Sequence, residues 1–289
     1  MEWISQYLNS LYSPCKAEPT ILPPVKIQQL SPIISTDCKG CEKPCTHPTV
    51  PEHLKIDQSQ PLQNTVPPYA MHLILMTGST QWPAQIEQEG LAYALVEGLR
   101  KQKESRHTKY CAYNGDESSD RVVVTCCSLP SRHSTQRRAM DVLLMPDNII
   151  FSNITPRRVE GLLDYIFARP CTQTFSVYPC PWASLFLVCG HGSKDKRCGT
   201  VGPMLQLALQ QAVKEGTQVA LVSHLGGHAF AGNLVVYTHY GQRAIWYGRV
   251  TPCYCQEIVD NSLQDKVIEE LVRGVFQVQS KPTPNHLDW

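Results

Sequence analysis

Two short stretches hold residues whose types and spacing could do chemistry. "FLVCGHGSKDKRCG" (186–199) carries Cys189 and Cys198. "SHLGGHAFAGN" (223–233) carries His224 and His228. Two thiolates and two imidazoles make a metal-ligand set, and three readings of it compete. A structural zinc ion accepts Cys2His2 in a tetrahedron, but zinc knuckles space their cysteines only about two to four residues apart. A [2Fe–2S] cluster spreads its ligands over two irons and tolerates mixed Cys/His ligation. The third reading makes each histidine an ordinary satisfied polar residue, which suits a lone histidine better than a spaced pair opposite two cysteines. Gly226 and Gly227 suit a loop bent tightly around a bound centre.

The cluster reading has chemical consequences. Neutral imidazoles in place of two thiolates remove negative charge, so the reduction potential rises relative to an all-cysteine cluster. The free ring nitrogens can couple proton to electron transfer. Lys194, Lys196 and Arg197 stand where they could stabilise the reduced state or dock an acidic partner; a solvated loop face explains them equally well. His191, between two glycines, reads as an outer hydrogen-bond donor or a solvent-facing residue. No nucleophile elbow, phosphate-binding glycine loop or paired-carboxylate motif is visible. An electron carrier or redox sensor is therefore favoured over an enzyme with its own substrate, with structural zinc in a non-redox interaction protein as the alternative.

The chain has thirteen cysteines. With no recognisable signal peptide, metal binding or thiol chemistry is a better expectation than disulfides. Cys126 and Cys127 in "RVVVTCC", and Cys111, read as small core residues. Cys38, Cys41 and Cys45, with His47 nearby, could hold zinc or a labile disulfide. Lys and Arg total 26 against 25 Asp and Glu, so no basic field argues for nucleic acid. No apolar run reaches the roughly 20 residues of a membrane span. The opening "MEWISQYLNSLYSPC" resembles neither a secretory signal nor a mitochondrial presequence.

The elements that would position the four ligands follow from periodicity. A proline-rich arm (1–67) precedes a strand at 71–76, a helix at 82–102, a polar loop at 103–120 and a strand at 121–127. Two short strands at 141–151 surround a Pro-Asp-Asn turn, and a helix follows at 155–168. The second half repeats the order: strand 184–189, helix 200–215, strand 218–223, a hairpin at 233–238 and 243–248, and a closing helix at 264–276. Strand–helix–strand, hairpin, helix is the thioredoxin-like order. The fold class expected is α/β, with two thioredoxin-like units in tandem, and only the second carries clustered ligands. Each pair sits at the end of a strand, so the pairs should face each other.

The stretches "VCGHGSKDKRCGTVGP", "SHLGGHAFAGNLVVY" and "WYGRVTP" resemble the sucrase/ferredoxin-like family over most of residues 70–260. The resemblance implies a C-terminal thioredoxin-like ferredoxin domain binding one [2Fe–2S] cluster through Cys189, Cys198, His224 and His228. It divides the chain into an arm (1–67), a first domain without a cluster (68–170), the cluster domain (171–280) and a tail (281–289). Cys253 and Cys255 in "TPCYC" depart from the family pattern and could be spare thiols near the cluster. The final Leu287-Asp288-Trp289 resembles the carboxyl end read by the cytosolic iron–sulfur targeting complex, which implies that complex as a partner beside an unknown redox partner protein. The address expected is cytoplasmic, with mitochondrial as the alternative because some family members are linked to mitochondria.

Overall fold

A computed structural model of the chain describes residues 26–28, 47–102, 121–167 and 171–278. Its main feature is a ten-stranded mixed sheet. Strands β2 (Met71–Met76), β3 (Val122–Cys127), β4 (Met140–Met145) and β5 (Ile149–Ile154) come from the first half, with helices α1 (Gly90–Lys101) and α2 (Val159–Ile166). A short strand β6 (Val177–Pro179) closes that edge. Strands β7 (Ser184–Cys189), β8 (Thr217–Val222), β9 (Leu234–Thr238), β10 (Arg243–Tyr247) and β12 (Val272–Gln277) come from the second half, with helices α3 (Lys196–Ala212) and α4 (Cys255–Ser262). A separate parallel pair joins β1 (Lys26–Gln28) to β11 (Lys266–Ile268).

The pairing order repeats. β2 runs parallel to β3 and antiparallel to β4, which pairs antiparallel with β5. β7 likewise runs parallel to β8 and antiparallel to β9, which pairs antiparallel with β10. The sheet continues across the boundary expected near residue 170: β3 and β8 meet at one antiparallel pair, Cys127 with Val222.

The strands are buried on both faces, which explains their continuous apolar runs. Along β7, Phe186 and Val188 join the helix-side core with Leu205, Leu221 and Ile258. Leu185, Leu187 and Cys189 join the core on the other face. On that face the sheet curls over itself. Tyr237 of β9 donates or accepts at 2.7 Å with Nδ1 of His72 on β2, although three strands lie between them in the sheet. His72 Nε2 meets Thr125 Oγ1 at 2.8 Å, and Trp246 Nε1 donates to Tyr69 OH at 3.1 Å. The accumulated twist of a wide sheet makes such curling natural. The turns also meet: Gly241, at φ +90°, lies so close to the 145–146 turn that a Cβ there would sit 2.7 Å from Met145 Sδ.

Two expectations change. The helix expected at 82–102 begins only at Gly90. "QDKVIEELVRGVF" is not a closing helix but β11, a turn and β12. Its apolar residues fit helical spacing, yet β10 offers an open edge, and pairing there satisfies a row of backbone groups. The last helix is α4, earlier in the chain. The end of the arm packs on the core, for Leu62 and Val66 are buried. The loop expected at 103–120 and Cys111 lie outside the described residues.

The buried network makes the fold acid-sensitive. Burial holds His72 down at about 3, and the Arg121 charge acts the same way. In the unfolded chain this histidine takes its proton near 6.5. Its contribution is therefore full above about pH 6.5 and is lost as pH falls toward 3, at about 1.4 kcal/mol per pH unit. Urea unfolding across that range should show this slope in the wild type and a flatter one in His72→Gln.

Candidate metal centre

β7 ends at Cys189, which is 1% exposed. The chain leaves the strand under control: Cys189 N donates to Asn233 O at 2.9 Å and Gly190 N to Val222 O at 3.0 Å. The loop turns at His191, whose carbonyl accepts from Lys194 N and Asp195 N. Asp195 then caps α3, accepting from Arg197 N at 2.9 Å. Helix α3 therefore starts four residues earlier than expected, and Cys198 lies in its first turn rather than closing a loop. Asp in front of the helix was the available sequence signal.

Two glycines let α3 close on the strand end. A Cβ on Gly199 would lie 2.4 Å from Gly192 Cα, and one on Gly202 would lie 2.5 Å from Cys189 O. Their spacing places both on one helix face. The contact brings Cys198, also 1% exposed, against Cys189. The two thiols interact closely enough for their protonation to be coupled. Cys189 is held well below the usual thiol range by the Cys198 thiol, then by His224 and by the backbone N–H groups of His191 and Leu225. Cys198 is pushed up because it donates to Cys189 and is buried.

The histidines come from the loop after β8. His224 is half-buried and contacts Cys189; its Nδ1 is buried with no hydrogen-bond partner. His228 is exposed, carried on the turn that follows Gly227 at φ +67°. The two rings lie 5.4 Å apart, centroid to centroid. All four expected ligands are thus neighbours, arranged as a buried thiol pair and an outer imidazole pair. Among the described residues no group of three or more His, Cys, Asp or Glu side chains is arranged to hold a metal ion.

His191 has a definite place. Its Nδ1 accepts from His224 N at 3.1 Å, so its Nε2 carries the hydrogen donated to Pro83 O at 2.8 Å. It is 2% exposed, with Trp82 edge-on at 5.9 Å. It is neither a ligand nor a surface residue: it fixes the histidine loop and ties it to the first half. Sequence reading missed this because Trp82 and Pro83 lie more than a hundred residues away. Arg197 is taken up by Asp195 at 2.8 Å, while Lys194 and Lys196 are exposed.

Other cysteines separate from the site. Burial raises Cys126 to about 11 and Cys127 to about 12, as core thiols. Cys255 is packed in the helix-side core, on the opposite side of the sheet from Cys189 and Cys198, so it is not a spare thiol at the centre. Cys38, Cys41 and Cys45, and the tail residues Leu287, Asp288 and Trp289, lie outside the described residues.

A mixed α/β protein built on one large sheet is the class that this fold defines. The sucrase/ferredoxin-like family model matches residues 62–274, and the chain belongs to that family. Among curated proteins it is similar to Altered inheritance of mitochondria protein 32 of Meyerozyma guilliermondii, 43% identical over 96 residues, which are 31% of this chain and 34% of that protein. The protein of the same name from Clavispora lusitaniae is 42% identical over 94 residues, 31% of this chain and 34% of that one. The one from Saccharomyces cerevisiae is 36% identical over 96 residues, 30% of this chain and 31% of that one. The matched stretch spans about a third of each relative. No solved structure matches. No helix among the described residues is long and apolar enough to cross a membrane.

The α3 contact yields a prediction. Gly202→Ala should force the helix off the end of β7, cost about 1–3 kcal/mol in denaturant unfolding and lower the metal content of the purified protein. Gly216→Ala, where a Cβ meets nothing within 4 Å, is the control for strain alone and should leave metal content unchanged.

Proposed function

We propose that the protein holds a [2Fe–2S] cluster through Cys189, Cys198, His224 and His228 and acts in electron transfer or redox sensing within thiol redox homeostasis. One observation carries the reading: two buried, interacting thiols lie beside two imidazoles, one with a buried, unpartnered nitrogen. Two pairs side by side suit a centre with two metal ions. We read the two repeated pairing orders as tandem thioredoxin-like units, the second a thioredoxin-like ferredoxin.

When bound, the cluster supplies one-electron chemistry. The chain's own residues set the conditions. Cys189 and Cys198 shield the inner end from water. The backbone N–H groups of His191 and Leu225 favour negative charge on Cys189. Exposed His228 makes the imidazole end the contact point for a redox partner protein, and exposed Lys194 and Lys196 favour an acidic one. Leu287, Asp288 and Trp289 would present a compact anchor to the cytosolic iron–sulfur targeting complex. That partner suits a cytoplasmic address; the relatives' printed name suits the mitochondrial alternative.

Anaerobically purified protein should be reddish-brown, with about two irons and two sulfides per chain. Cys189→Ser or Cys198→Ser should remove most of the cluster, while His224→Cys or His228→Cys should keep one and lower its potential. Colourless protein with one zinc per chain would instead establish the structural-zinc alternative. Unchanged absorption and EPR spectra in both histidine variants would remove the histidines from the ligand set.

Deleting Trp289 should lower the iron content of protein taken from cells, while chemical reconstitution still restores the cluster and the metal-free protein melts unchanged. Equal iron in cells, with equal binding to the targeting complex, would rule the tail out as a signal.

A further inference from the structure

Arg273 lies on β12, in the segment whose sequence reads as a helix, and is 2% exposed. Its guanidinium makes four hydrogen bonds. Nε donates to Thr65 Oγ1 at 3.0 Å. One terminal nitrogen donates to Gly226 O at 3.0 Å and Asn233 Oδ1 at 2.7 Å. The other donates to Thr65 O at 3.2 Å. Every acceptor is neutral. A buried guanidinium without a paired anion is costly, and a guanidinium does not give up its proton at neutral pH.

The local structure is built around this cation. A Cβ on Gly227 would lie 2.4 Å from its terminal nitrogen, and one on Gly248 would lie 2.9 Å from its Cδ. The second glycine of the His-x3-His loop is therefore needed for the arginine as well as for the bend. Phe230, in the same loop, has its ring centroid 5.5 Å from the guanidinium carbon, within cation–π range. Asn233, held by Arg273 through its oxygen, donates its amide to Gly227 O at 2.8 Å. The ionisable groups whose charge favours the cation on Arg273, when they are deprotonated, are Cys189 and Cys198.

We propose that Arg273 is the internal countercharge of the Cys2His2 centre, a buried positioning residue that fixes the His224–His228 loop and favours the reduced state. The inference rests on the cluster reading. With two thiolate and two neutral imidazole ligands, reduction leaves the centre one charge more negative. The step is uptake of one electron from a partner protein, which is oxidised by one electron; no bond forms or breaks, and Arg273 keeps its proton. A fixed cation in a low-dielectric surround acts strongly on that added charge. Thr65 extends the arrangement, because the arm is tied to the loop through the same guanidinium.

The test uses the full-length protein, with iron and sulfide analysis, a dye-mediated redox titration and thermal melting of the metal-free form. Arg273→Gln should shift the reduced-to-oxidised ratio at fixed ambient potential at least tenfold toward oxidised, which is 59 mV for one electron. Arg273→Lys, which keeps the charge, should shift it much less. Asn233→Asp puts a carboxylate on the guanidinium without removing it and should shift the ratio in the same direction as Arg273→Gln, which keeps the inference falsifiable if the glutamine variant does not fold. A titration within twofold of wild type in every variant that folds, even with a lowered melting temperature, would reduce Arg273 to a structural role and overturn the inference. Wild-type protein without iron and sulfide would overturn the cluster reading itself.

Discussion

The site depends on one close approach, between the backbone of α3 and the end of β7. Cys189 lies on a strand and Cys198 on a helix; a side chain at Gly202 would hold the two elements apart, and one at Gly199 would push the helix off the loop at Gly192. With hydrogens there instead, the first helical turn comes down beside the strand end, and the thiols meet in a water-poor setting. That contact leaves the histidine loop as the open side of the candidate site. A helix N-terminus next to the thiols also suits negative charge.

The histidine loop is fixed from three directions. His191 receives its backbone from one side and passes the hold to Pro83 in the first half. Asn233 grips Gly227 from the start of β9. Arg273 reaches in from β12 and binds Gly226. A loop with two adjacent glycines would otherwise be free to move; these polar contacts restrict it without covering His228. The result joins a held inner end to an accessible outer one.

The first half has no ligand of its own but is more than an appendage. Its strands complete the sheet, its Trp82 and Pro83 support the site, and its His72 and Tyr69 enter the buried polar network with Tyr237 and Trp246. A fully satisfied polar network of this kind specifies how two faces meet better than apolar packing alone.

The sequence by itself determined much of this. The strands β2, β3, β7, β8, β9 and β10 were legible because they are short apolar runs bounded by turn residues. The four candidate ligands were legible because cysteine and histidine pairs at strand ends have few other reasons to be so spaced. Tertiary structure decided the rest. Residues 264–276 carry a pattern compatible with a helix, and only the open edge of β10 makes them strand. Arg273 looks like any charged residue in that pattern until the pairing turns it inward. Gly199, Gly202 and His191 acquire their roles from chain segments far away in sequence, since a close approach or a long-range hydrogen bond leaves no local periodicity to read.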